Sequence, residues 1–66
     1  MEKDKRIWIT GMVGDFRARK VDEKHGQPVY QVMLDDGSGP DPSWPMKLKP
    51  GGDYIEMGDW EDETNN

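Results

Sequence analysis

The chain has 66 residues, with 9 Lys and Arg against 14 Asp and Glu, a formal net charge of -5, and no Cys. These figures allow one small domain and exclude a disulfide framework, a thiolate nucleophile and any Cys-based metal centre. Charged residues make up 35% of the chain and hydrophobic residues 32%, so the apolar supply is thin. It fills one small core with the help of the Trp, Tyr and Met residues and leaves nothing for a deep catalytic pocket. No apolar run exceeds three residues, as in Val32-Met33-Leu34, which is too short to span a bilayer, and the polar start from Met1 to Arg6 lacks the apolar stretch of a signal peptide. A cytoplasmic, non-enzymatic protein without cofactor or metal is expected.

Residues 6–20 place Ile7, Ile9, Gly11 and Val13 on one face at period two, which predicts a strand. Phe16 and Ala18 have the opposite parity, so a bulge at Gly14 is expected to return them to the same face and bend one long strand over the core. The polar stretch from Val21 to Pro28 reads as a hairpin loop in which Gly26 is free to take a positive φ. A second strand over 29–34 turns Tyr30, Val32 and Leu34 inward and Val29, Gln31 and Met33 outward, and ends at the turn signal Asp35-Asp36-Gly37-Ser38-Gly39.

Pro40, Pro42 and Pro45 deny the next stretch backbone donors, predicting an irregular crossing before Trp44, Met46 and Leu48 alternate as a third strand with Trp44 as the lid of the core. Pro50-Gly51-Gly52 makes a further turn, and Asp53 to Met57 reads as a short fourth strand. No stretch carries capped apolar residues at three-and-four spacing, so helix should be almost absent. The expectation is an all-β fold: a small antiparallel curled sheet or barrel of four to five strands, one domain over 1–57, with an acidic and mobile tail over 58–66. The expected core is Ile7, Ile9, Val13, Phe16, Tyr30, Val32, Leu34, Trp44, Met46, Leu48 and Ile55.

Charge is divided unevenly, with seven bases against five acids in residues 1–34 and two against nine in residues 35–66. A basic strand edge at Arg17, Arg19 and Lys20 suits an anion, and an acidic tail suits a basic partner. The same charges equally suit a guarded sheet edge and a solubilising tail. Trp8 has the opposite parity to Ile7 and Ile9 and points outward as a contact residue, whereas Phe16, Tyr30 and Trp44 are needed for burial. Trp60, set among Asp59, Glu61 and further acids, suits either a short recognition motif or packing on the sheet. The loop from Asp35 to Asp41 is rich in oxygen donors but lacks the alternating acids and closing Glu of a calcium loop. His25 has no Ser or Cys partner to activate and is expected to be a surface residue.

The stretch Ile9-Thr10-Gly11-Met12-Val13-Gly14-Asp15-Phe16, followed by Pro28-Val29-Tyr30-Gln31-Val32-Met33-Leu34-Asp35-Asp36-Gly37-Ser38-Gly39, resembles the first two strands of OB-fold domains. In that family a long glycine-bent strand precedes one ending in Asp-Gly, and many members bind single-stranded nucleic acid. The helix between strands three and four and a fifth strand have no counterpart here, and an SH3-like barrel fits equally well. The acidic end is similar to the partner-recruiting tails of single-strand binding proteins, with Asn65-Asn66 in place of their apolar terminus.

Two functions follow as expectations. The first is a protein-interaction or inhibitor-type module docking on a basic surface of a larger protein, of the kind phages and other mobile elements encode. The second is OB-like binding of single-stranded nucleic acid under a regulatory acidic tail. Partner contacts are expected at Trp8, Arg17, Arg19, Lys20, Asp59, Trp60 and Glu61.

Overall fold

A computed structural model describes residues 3–61. The fold is all-β, with four strands, β1 (Lys5–Ile9), β2 (Phe16–Lys24), β3 (Gln27–Val32) and β4 (Tyr54–Asp59), in one antiparallel sheet of order β3-β2-β1-β4. No helix occurs among the described residues, and so none long and apolar enough to cross a membrane.

The long first strand expected over 6–20 is instead two strands and a reversal. Gly11 (φ +86°) and Gly14 (φ +98°) both occupy the left-handed region that a side chain resists, and between them the chain turns back. Ile7 thereby faces Phe16, Arg6 faces Arg17, and Lys5 faces Ala18. The change of apolar parity at Gly14 therefore marks a turn, not a bulge. Most of the stretch read as a loop over 21–28 extends β2 to Lys24, and the turn is confined to His25 (φ 53°) and Gly26 (φ 79°), the paired left-handed conformation that a two-residue hairpin needs. The positive φ expected at Gly26 is present.

The strand expected over 29–34 is β3, which starts at Gln27 and ends at Val32, two residues earlier at each end, and the turn expected at Asp35–Gly39 follows it. The third strand expected over 44–48 is reduced to one bridge: Tyr30 N–H donates to the Leu48 carbonyl at 3.0 Å, and Leu48 N–H donates back at 2.7 Å. Three prolines within six residues leave too few donors for a longer ladder. Strand β4 starts at Tyr54 and runs through Gly58 and Asp59, two residues into the segment assigned to the tail. Residues 62–66 of that segment lie outside the described residues.

Ile7, Ile9, Ala18, Tyr30, Val32 and Leu48 form the buried cluster, with Phe16, Trp44 and Tyr54 packed against it. Phe16 and Trp44 meet edge to face at 5.5 Å, so Trp44 lies where a lid was expected. Four expected core members are exposed: Val13 (95%), Leu34, Met46 and Ile55. Val13 sits in the reversal, Leu34 and Met46 lie outside any strand, and Ile55 points away from the cluster, one residue out of phase with Tyr54. Val29 and Met33, expected outward, are buried, and Met33 is bridged through its backbone to Pro40.

The sheet curls without closing. No Cα of β3 lies within 8 Å of a Cα of β4, yet their side chains meet across the gap. Tyr30 and Tyr54 pack edge to face at 5.0 Å, Tyr30 Oη donates to Glu56 Oε1 at 2.9 Å, and Tyr54 Oη donates to the Pro28 carbonyl at 2.6 Å. Burial, and then the nearby Glu56 charge, push the Tyr54 hydroxyl above its ordinary pKa, so it stays protonated and able to donate.

Candidate functional site

Pairing of β1 with β2 sets Arg6, Arg17 and Arg19 on the sheet face opposite the core. The register Arg6 to Arg17 and Lys5 to Ala18, carried one residue further, sets Asp4 across from Arg19 and diagonal to Arg17. One carboxylate thus meets two guanidinium groups. Asp4 Oδ2 accepts from Arg17 Nε at 2.5 Å and from Arg19 Nη2 at 3.0 Å, while Oδ1 accepts from Arg19 Nε at 2.8 Å. The Asp4 side chain is 5% exposed and that of Arg17 9%, whereas Arg19 remains 47% exposed. The hydrogen bonds from Arg19 lower the Asp4 pKa; desolvation opposes them, and Arg17 adds to them.

Arg17 joins three parts of the chain. Beyond its bond to Asp4, its Nη1 donates to the Asp35 carbonyl at 3.0 Å, and its guanidinium lies 5.9 Å from the centre of the Trp60 ring. Gly37, at φ +75°, passes so close that a Cβ there would fall 2.6 Å from Arg17 Nη2. The end of β4 is fastened to the same cluster, for Trp60 N–H donates to the Asp4 carbonyl at 2.9 Å.

Three further cations, Lys5, Arg6 and Lys20, also have acidic partners. Lys5 Nζ lies 2.6 Å from Asp59 and 3.9 Å from Glu56, Arg6 Nη1 lies 3.3 Å from Asp15, and Lys20 Nζ lies 2.9 Å from Glu23. The hydrogen bond from Lys5, followed by its charge, lowers the Asp59 pKa.

The residues singled out from the sequence therefore fall into separate environments. Arg17, Arg19 and Trp60 converge around Asp4, with Arg17 buried rather than on an open basic edge. Asp59, Trp60 and Glu61 line an open depression of about 300 Å³ with Arg6 and Asp15. Lys20 lines a second, of about 310 Å³, together with Lys3, Lys5, Pro28, Tyr30 and Asp59. Trp8 is half-buried on the outward face of β1, opposite Ile55 of β4. Within the loop from Asp35 to Asp41, Asp36 Oδ1 accepts from Ser38 N–H and Asp41 Oδ1 from Ser43 N–H, each at 2.9 Å, so these carboxylates shape turns. Among the described residues no three His, Asp or Glu side chains are grouped to hold a metal ion.

Asp4 is the residue that sequence reasoning missed. Its signal was present, since Arg17 and Arg19 are two apart and share one face of a strand, but the acid that answers them becomes visible only once residues 5–9 and 16–24 are recognised as separate, paired strands. Comparison of the chain with models of protein families, with curated proteins and with solved structures finds no match.

Proposed function

We propose that the chain is a small non-enzymatic binding module that docks through acidic surface on a basic region of a larger protein. The shared pairing of Arg17 and Arg19 with Asp4 carries this reading. Phosphate binding needs cations whose charge is available to the ligand, and here the two arginines best placed to provide it already serve a buried carboxylate. With net charge -5, and with Lys5, Arg6 and Lys20 also facing acids, the surplus charge that a partner meets is negative. Complementary charge of that kind speeds encounter and selects a basic partner.

A second reading, binding of single-stranded nucleic acid, draws on the depression lined in part by Lys3, Lys5 and Lys20, since grouped lysines offer charge to a phosphate backbone. Fluorescence titrations with labelled oligothymidine and with labelled polylysine, at low and moderate salt, separate the two. Binding of polylysine with no response to the oligonucleotide is expected. Micromolar oligonucleotide binding with a steep salt dependence would overturn the protein-docking assignment.

A further inference from the structure

Strand β4 stands at one end of the sheet order and pairs with β1 alone. Two backbone bonds fix which of its groups point where: Thr10 N–H donates to the Asp53 carbonyl, and Trp60 N–H donates to the Asp4 carbonyl. Antiparallel ladders alternate, so that every second residue directs both its N–H and its C=O toward the neighbour and the residues between direct theirs away. Counting inward from Thr10 and Asp53, Ile55 faces β1 and Tyr54 and Glu56 do not. Counting back from Asp4 and Trp60, Gly58 faces β1 and Asp59 does not. The register shift between Arg6 and Ile7 leaves Met57 as the extra residue, and its carbonyl accepts from Arg6 Nη2 at 3.4 Å. Among the described residues no backbone partner engages the outward groups of Tyr54, Glu56 and Asp59.

The side chains along this edge are sorted by face. Glu56 and Asp59 lie on the same face as Ile7 and Lys5, opposite which they stand, while Ile55 lies on the other face beside Trp8. Ile55 is 58% exposed and Met57 44%. Residues 53–61 contain four acids and no Lys or Arg; Lys5, set between Glu56 and Asp59, offsets part of that charge. Edge strands are commonly protected by charges, proline or bulges; β4 has no lysine or proline, and its protection consists of its acids and the bulge at Met57. Its acids repel another acidic edge, so two copies of this chain brought together through β4 would oppose like charges. A basic strand meets no such barrier.

We infer that β4 is a docking edge for an extended segment of another protein in which Lys or Arg alternates with apolar residues, added to the sheet as a further strand. Its backbone bonds to Tyr54, Glu56 and Asp59, its basic side chains lie beside Glu56 and Asp59, and its apolar side chains cover Ile55 and Trp8. This mode of recognition, in which main-chain bonds give affinity and alternate side chains give specificity, rests on the basic-partner reading above and adds a place and a geometry to it.

The test uses the full chain, isotope-labelled, with two short peptides of equal charge: one alternating Lys with Val, the other alternating Lys with Pro, which cannot donate to a ladder. In the free protein the amides of Ile55 and Gly58 are expected to exchange slowly and those of Glu56 and Asp59 quickly. The Lys-Val peptide is expected to slow exchange at Glu56 and Asp59 and to bind about tenfold or more tightly than the Lys-Pro peptide, the difference that a few lost ladder bonds produce. Equal binding of both peptides with no change at those amides would overturn the edge while sparing the basic-partner reading. If neither peptide bound at low salt, both readings would be overturned. Protection at Glu56 and Asp59 that rises with protein concentration in the absence of peptide would replace the foreign strand with a second copy.

Discussion

Arg17 and Asp4 form a buried ion pair that Arg19 shares: Arg17 Nε and Asp4 Oδ2 are 2.5 Å apart, both side chains are largely shielded from water, and loss of Asp4 takes that carboxylate from both guanidinium groups. Breaking one side of such a pair costs about 3–5 kcal/mol, because the remaining charge stays desolvated, and a domain of this size has little more stability than that. Asp4→Asn is therefore expected to unfold the chain, or to leave it molten, at ambient temperature. Arg17→Met combined with Asp4→Asn should recover part of the loss, since the double change removes the buried guanidinium and takes the carboxylate only from Arg19, whose side chain is 47% exposed to water. Urea melts of the two variants check this, and a double variant no more stable than Asp4→Asn alone would show that the pair is not what holds the face together.

The same carboxylate sets the acid limit of the fold. Asp4 titrates below its ordinary value of 3.8 in the folded chain, so ionised Asp4 favours folding. That contribution is full above the ordinary carboxylate value and is lost as pH falls through the depressed one. Asp59 shifts in the same direction through Lys5, but its exposed pair is screened by salt. Melting temperatures measured from neutral pH downward should fall steeply below about pH 4, the range where carboxylates protonate. Added salt should soften only a minor part of the fall. A melting temperature that stays level to pH 2 would refute the assignment.

Much of the strand content was legible because β-branched and aromatic residues alternate over 5–9 and 27–32, and the turn at His25-Gly26 and the one after Leu34 carry the residues that such turns require. The reversal at residues 10–15 was not legible. A parity shift next to a glycine is produced equally by a bulge and by a turn, and only pairing between distant residues, Ile7 with Phe16, decides between them. The error propagated to the site. With β1 and β2 fused into one strand, Asp4 had no route to Arg17, and the arginines were left to be read as an open basic edge. Val29 and Met33 were misplaced for a related reason, since strand parity does not encode what covers the outward face of β3.

Gly37 offers a sharper probe than Gly14. Both have positive φ, at +75° and +98°, but the space where a Cβ would sit at Gly14 is open, whereas at Gly37 it meets the Arg17 guanidinium at 2.6 Å. Gly14→Ala should cost about 1–2 kcal/mol through backbone strain alone. Gly37→Ala should cost more, because the displaced guanidinium is tied to Asp4 and to the Asp35 carbonyl. The excess should disappear in an Arg17→Met background, where the obstructing head group is gone. Equal losses at the two glycines in the parent chain would mean that the loop does not close on Arg17.

The reciprocal tyrosine bonds across the open seam invite a second comparison. Tyr54→Phe leaves the Pro28 carbonyl without its donor, and Tyr30→Phe leaves Glu56 without its own; each should cost about 1 kcal/mol. Tyr30→Ala removes a buried ring from the core as well and should cost about 3–5 kcal/mol, enough to abolish a cooperative melt. Because the two rings touch, the paired Phe variants are expected to be non-additive. Strict additivity in thermal melts would show that the seam is not a coupled unit.

Trp60 decides how far the ordered sheet extends toward the acidic end. Its backbone N–H is bonded to Asp4 and its half-buried ring faces the guanidinium of Arg17, so residue 60 is joined to the start of β1 by both main chain and side chain. A desolvated cation over a tryptophan is worth about 1–2 kcal/mol, which in a domain of this size shifts the melting temperature by several degrees. Trp60→Ala is accordingly expected to lower it by that amount, and Trp60→Phe, which keeps a ring of weaker quadrupole, by less. Because the Arg17 side chain is buried, the loss should persist at high salt, unlike a purely electrostatic effect of neighbouring acids such as Glu61. The amide of Trp60 should exchange slowly in the parent chain. Fast exchange at Trp60, together with unchanged melting of Trp60→Ala at low and high salt, would detach this residue from the sheet and leave β4 ending at Asp59.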